Sequence, residues 1–331
     1  MAASCVLAFR FPFELFLFSY AVLGPLHYLT EISWLHDRKY FTESGAAGKR
    51  KRAHQGWLAL VAITMMALIV GFIAVEGAGI EAKPKWEITF FYLVFVSAAL
   101  VTIVGNRALK IPLLVGSIVL LALFATSSYY ITLAFFLVTI IHVLIFTGSF
   151  VLFGALKGRS VSGMLSLVVF VACAVSFFIW FPEGAVVSDG VRRVYRSFNA
   201  LNAELLKMLH LGSGTTTTEI YESRGGLAIM RLIAFSYTYH YLNWFSKTSI
   251  IKWHEVPKSR TAVMIALWVA ALALYAVNYD TGMAVLYFMS ILHVMLEFPL
   301  NHRTFVGIGK ELVAILNRPR ATKSVPGPTS A

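Results

Sequence analysis

The chain has 331 residues, of which 58% are hydrophobic and only 13% charged, about half the charged share of an average soluble domain. That composition excludes a disordered chain and a soluble single-core domain, and describes an all-α, polytopic integral membrane helical bundle. The formal net charge of +12 reads as loop charge that sets topology against anionic lipid, with no nucleic-acid partner.

A transmembrane helix needs about 20 mostly apolar residues. Nine stretches qualify: 11–30, 57–76, 86–104, 112–127, 130–153, 163–182, 227–246, 261–278 and 282–300. The first lacks a basic leading region and a small-residue cleavage site, so it reads as a retained span rather than a signal peptide. With the N-terminus outside, the inner segments hold 19 of the 28 Lys and Arg residues and the outer segments 8. That asymmetry predicts about nine spans, N-out and C-in. A multi-pass protein of this kind belongs, in a bacterium, in the cytoplasmic (inner) membrane.

Residues 1–310 are expected to form a single transmembrane bundle domain, and 311–331 a cytoplasmic tail that is partly disordered. The outer loop 183–226 carries an amphipathic helix: Val191, Val194, Tyr195, Phe198, Leu201, Leu205 and Leu209 repeat with helical period beside Arg192, Arg193, Arg196 and Lys207. Thr215–Thr218 read as a flexible linker.

Ionisable groups inside a bilayer are expensive and mark function. Glu14 and Arg231 each sit about one turn inside the outer end of a span and are expected to pair. The remaining six group by depth. His27 and Glu31 end the first span, His142 lies in the fifth, His240 in the seventh, and His293 with Glu297 in the ninth. All four of these helices run from outside to inside, so the six side chains fall at one level near the cytoplasm. A spacing also recurs: His27-x3-Glu31-x4-His36 matches His293-x3-Glu297-x4-His302. A helix break at Pro299 would let His302 turn back onto the face of His293. His254 adds a further imidazole at the cytoplasmic rim.

Neutral imidazoles with one or two carboxylates suit iron, zinc, copper or manganese. The two cysteines, Cys5 and Cys173, form no sulfur-rich site. The expected metal set is His27, His142, His240 and His293. Glu31 and Glu297 act as ligands or as acceptors that orient the imidazoles, and His36, His254 and His302 stand at the rim. Glu31, Glu297 and Tyr237 are the candidate catalytic groups. Tyr237 shares the helix face of His240 and lies one turn deeper. The number of ions is left open.

This chemistry resembles, in kind, that of the membrane fatty-acid desaturases and hydroxylases, which hold a non-haem di-iron centre in a histidine-rich set at the cytoplasmic face. The chain has none of their clustered HxxxH and HxxHH boxes, because no two of its nine histidines are three or four apart. It also lacks the HxxxH motif of zinc-dependent membrane ceramidases, so no residue is carried over from either family. The function expected from the residues is a non-haem iron oxygenase, hydroxylase or desaturase-type enzyme. Its substrate is a lipid or isoprenoid reached from the bilayer, with an external electron donor as partner. Two alternatives stand beside it. One is a zinc-dependent lipid hydrolase or transferase using Glu31 or Glu297 as general base. The other is a metal or proton transporter, which the scarcity of polar groups in the outer half disfavours.

Overall fold

The structure is a computed structural model and describes residues 1–39, 48–78, 86–124, 128–182 and 187–317. Among them every regular element is a helix. In chain order these are α1 (Ala2–Arg10), α2 (Pro12–Asp37), α3 (Gly48–Ala78), α4 (Trp86–Thr102), α5 (Arg107–Phe124), α6 (Ser128–Val138), α7 (Ile141–Lys157), α8 (Val161–Ile179), α9 (Asp189–Tyr195), α10 (Asn199–Met208), α11 (Thr217–Glu222), α12 (Arg224–Ser246), α13 (Lys258–Val277) and α14 (Tyr279–Leu316).

Among the described residues, five helical stretches are long and apolar enough to cross a membrane: Pro12–Asp37, His54–Ile73, Val161–Ile179, Lys258–Val277 and Tyr279–Leu316. Thr132–Val138 with Ile141–Lys157 makes a sixth if that pair, bent by 45°, is one span. Ile88–Thr102 and Ala108–Leu123 are apolar but shorter. The outer faces agree with a lipid solvent. On α8, Val161, Leu165, Val168, Val171, Val175 and Ile179 are all exposed, a continuous apolar stripe that water does not favour. Polar side chains lie inside instead, among them Ser19, Thr30, Asn202, Ser236, Thr238 and Asn301. The chain is thus an all-helical protein with several membrane-length apolar helices.

Two helices carry local irregularities that matter for the site. In α2, Pro25 has no N–H to give and forces the ladder to adjust. Residues Ser19–Leu23 take up the strain as a π-helical turn, closed by the Gly24 N–H on the Ser19 carbonyl. In α7, Ile141–Phe146 form a second π-helical turn, and such turns re-aim side chains by inserting one extra residue. The long helix α14 does the opposite of what its sequence suggests. It runs for 38 residues straight through Pro299, about 57 Å of helix. The expected break is absent, so His302 does not turn back. Its Nε2 lies 3.0 Å from the Phe95 carbonyl oxygen, and its ring packs on that of Phe95.

The segment after α8, expected outside, also departs from expectation in detail. Of its expected apolar face, Tyr195, Leu201 and Leu205 are almost fully enclosed, together with Leu206, whereas Leu209 is exposed. It comes, however, as two helices, α9 and α10, joined by a single 3-10 turn at Arg196–Phe198. Tyr195 stacks edge-on against Phe13 and donates its hydroxyl hydrogen to Asn202 Oδ1 at 2.5 Å. The segment therefore caps one end of the bundle. Thr215–Thr218 are no linker. Thr216 Oγ1 accepts the Glu219 N–H, and the Glu219 carboxylate accepts from Ser213 N, Ser213 Oγ and Thr215 N, a variant of the helix-starting box spelled by Thr-x-x-Glu. The expected Glu14–Arg231 pair is also overturned. Glu14 is exposed, while Arg231 is 1% exposed, reaches the Pro182 carbonyl at 3.4 Å and lies over the Phe9 ring. The burial of Phe13 and Phe16 on the inner face of α2 leaves Glu14 on the other side.

Two apolar cores fill the bundle. One gathers Phe13, Phe16, Tyr195, Phe235 and Tyr241. The other gathers Leu35, Trp57, Phe91, Phe298 and Met295. His142 is followed by Val143 in the first core and Phe146 in the second, which places the polar layer where the two meet.

Candidate metal centre

Four helices far apart in sequence each bring one imidazole to that layer. His27 comes from α2, His142 from the π turn of α7, His240 from α12 and His293 from α14. They are 1%, 2%, 6% and 4% exposed. Close approach of α2 to α12 makes this possible. Ser19 and Thr238 hydroxyls bond at 2.7 Å, and a Cβ on Gly24 would stand 3.3 Å from Tyr241 Oη.

One ring nitrogen from each histidine lies within 4.8 Å of the others. His27 Nε2 and His240 Nε2 are 3.0 Å apart, and His142 Nε2 and His293 Nε2 are 3.2 Å apart. Two nitrogens bound about 2.1 Å from one ion stand ~3.0 Å apart at a right angle and ~3.4 Å at the tetrahedral angle. The two pair distances of 3.0 and 3.2 Å fall within that range, and the remaining pairs lie within 4.8 Å. The rings stand at 65° to 87° to one another, as ligands radiating from one point do. Four hydrogen-bonded structural histidines would instead face separate partners in separate interfaces. Ser236 and Thr139, the hydroxyls best placed for that duty, turn back to their own helices at Leu232 and Phe135.

Supporting groups sit behind the imidazoles. With His240 Nε2 facing the centre as a lone pair, Nδ1 carries the hydrogen and donates to Thr147 Oγ1 at 2.7 Å. Glu297 Oε2 lies 3.1 Å from His142 Nδ1, on the side away from the centre. Glu31 is placed differently: its Oε2 is 3.0 Å from His27 Nε2, the nitrogen that faces the centre. Neither carboxylate contact has hydrogen-bond direction, and Glu31 Oε2, His27 Nδ1 and His142 Nδ1 have no hydrogen-bond partner among the described residues. Buried polar atoms are ordinarily satisfied. A divalent cation among the imidazoles would satisfy Glu31 Oε2, which stands beside the centre-facing nitrogen of His27. The buried four-histidine group could hold a metal ion.

The rim histidines do not join it. His36 and His254 side chains are 59% and 80% exposed and lie near Asp37 and Glu255. His302 faces Phe95, as described. The repeated His-x3-Glu spacing does bring both Glu31 and Glu297 to the site, but Glu297 serves His142 on another helix rather than its own His293. Thr147 was missed by sequence reasoning. In an α-helix it would lie about 140° round from His142; the π turn between them changes that angle, and nothing in the spacing announces the turn.

Two cavities flank the imidazoles. One, of about 280 Å³, is lined by His27, Glu31, His240 and Glu297 at one end and by Lys157 and Lys247 elsewhere, with apolar walls. The other, of about 50 Å³, lies against His142 and His293 and is lined by Tyr20, Tyr237, Tyr241 and Tyr287. Tyr237 thus borders the group opposite the larger cavity, packed edge-on against Phe16. No protein-family model, no curated protein and no solved structure matches this chain.

Proposed function

We propose that the chain is a membrane-embedded non-haem iron enzyme that uses dioxygen to hydroxylate or desaturate a lipid or isoprenoid. The observation that carries this reading is the convergence of His27, His142, His240 and His293, with a substrate-sized cavity opening directly on two of them. The count of four argues for iron over zinc. Catalytic zinc keeps three protein ligands and one open position, whereas four ligands close a tetrahedral site. Iron with a preference for six ligands retains open positions beside four imidazoles. That disfavours the zinc hydrolase alternative.

The four histidines would hold the ion, and iron there would supply the activation of dioxygen. Thr147 fixes the tautomer and tilt of His240, and Glu297 places a carboxylate beside His142 Nδ1. Glu31 stands on the cavity side and holds or releases a proton next to His27. Tyr237 supplies a hydroxyl on the opposite side. The walls of the larger cavity exclude water from the reacting carbon. Hydroxylation places one oxygen atom in a C–H bond and releases the other as water, consuming two protons and two electrons from a reduced carrier. The same reading takes nine spans with the N-terminus outside, so that the larger cavity faces the cytoplasmic supply of electrons.

Metal analysis of the purified chain, with absorption spectra before and after dithionite, tests the reading. We expect stoichiometric iron without haem bands, lost in His240→Ala and His293→Ala and retained in His210→Ala, whose position is exposed. Zinc alone, or no metal in any preparation, overturns it.

A further inference from the structure

We infer that the larger cavity binds a single-chain amphiphile with an anionic headgroup, a carboxylate or a phosphate, held by Lys157 and Lys247 with its tail against the imidazoles. The inference rests on the proposed function only for what happens to the tail, not for the binding itself.

The cavity is lined by two unlike sets of groups. One is His27, His240, Glu31 and Glu297, at the centre. Lys247 follows His240 by seven residues, directly after α12, and Lys157 follows Thr147 by ten on α7, so both lysines lie further along their helices than the groups at the centre, and Phe150, Phe153, Trp244 and Leu300 also line the cavity. Lys157 is the last residue of α7 and lays its ammonium over the Phe153 ring at 5.8 Å. Lys247 follows directly on α12, is half-buried, and its charge interacts with the same two carboxylates that border the imidazoles. Lysines at helix C-termini also complement the helix dipole; that role asks only for an exposed side chain near the last turn, which exposed Lys157 meets and half-buried Lys247 exceeds. Here both line one apolar cavity whose far end is the polar centre. Such a space matches a molecule that is charged at one end and apolar along its length. Lys247 already faces Glu31 and Glu297, but Lys157 makes no ion pair among the described residues, and an anionic head supplies it a counter-ion that a neutral hydrocarbon does not.

The geometry also locates the carbon presented to the centre. His240 and Lys247 are seven residues apart on one helix, about 10 Å of rise. An extended chain covers that in about eight bonds. The tail must therefore be at least that long, and the reacting carbon lies mid-chain rather than next to the head.

Equilibrium dialysis of the full chain in nanodiscs with radiolabelled dodecanoate, dodecyl phosphate and dodecan-1-ol tests this. The wild type is expected to bind at least one anion ten-fold or more tighter than the alcohol; which anion is preferred distinguishes a fatty acid from a phosphorylated lipid. Lys157→Gln with Lys247→Gln should abolish that preference, and Lys247→Arg should keep most of it. Equal binding of alcohol and both anions by the wild type, or an anion preference that survives the double substitution, overturns the inference. Metal content measured on the same samples separates the two readings. A lysine-dependent preference in a metal-free chain removes the iron reading alone, and a metal-loaded chain without the preference removes this one alone.

Discussion

At the scale of single residues, the site separates what spacing can reveal from what it cannot. His27, His142, His240 and His293 were legible because imidazoles are rare in apolar helices and these four share one depth. Glu31 and Glu297 were legible for the same reason. Their division of labour was not, since it depends on which nitrogen of which neighbour each carboxylate meets. Thr147 was illegible, because a threonine in an apolar helix has a ready partner in its own backbone. Its role yields a sharp expectation. Thr147→Val removes the acceptor for His240 Nδ1–H and should weaken metal affinity by about 10–100-fold, the usual effect of losing such a support. Thr147→Ser should retain it. Metal titration of the purified variants reads the difference, and unchanged affinity in the valine variant would show that His240 needs no such orientation.

At the scale of elements, composition and period located the helices but not their irregularities. The two π turns each depend on a balance of backbone bonds over a few residues, and Pro25 hints at only one of them. Pro299 pointed the wrong way: the helix absorbs it, and His302 leaves the site as a result. The outer turn at Ser213–Glu219 was misread from its run of threonines, although Thr216 and Glu219 have the spacing of a helix start. That turn should respond to acid. Amide and hydroxyl donors from Ser213 and Thr215 hold the Glu219 carboxyl below its ordinary value of 4.5. A carboxyl depressed in the folded state stabilises above its unfolded value and loses that contribution as pH falls through the folded one. Protection of the Ser213 and Thr215 amides, measured as hydrogen exchange relative to the intrinsic rate at each pH, should therefore fall below about pH 4.5. Glu219→Gln should exchange faster at neutral pH and show little of the acid step. Wild-type protection independent of pH would mean that the carboxylate does not order the turn.

At the scale of the whole molecule, the inside-out pattern of a membrane protein is plain in both sequence and structure. Valines and isoleucines face outward, and the expensive polar groups meet at the centre. The proposed orientation rests on the distribution of Lys and Arg between the segments joining the spans. In a background with Cys5 and Cys173 replaced by serine, Ser259→Cys and Thr218→Cys should react with impermeant thiol reagents from opposite sides, with 218 outside. Both positions are exposed. Labelling of both from one side, or of 259 from outside, would reverse the placement of the larger cavity relative to its electron supply.

The centre also ties the chain to its own order of synthesis. The imidazole pairs that touch are 213 and 151 residues apart along the polypeptide, and the last of the four arrives on α14. Closing such long loops costs chain entropy before any contact returns it. A bound ion would thus act as a late cross-link. It could be captured only after the final helix leaves the ribosome, and until then each earlier helix would have to be held in the bilayer by its apolar surface alone.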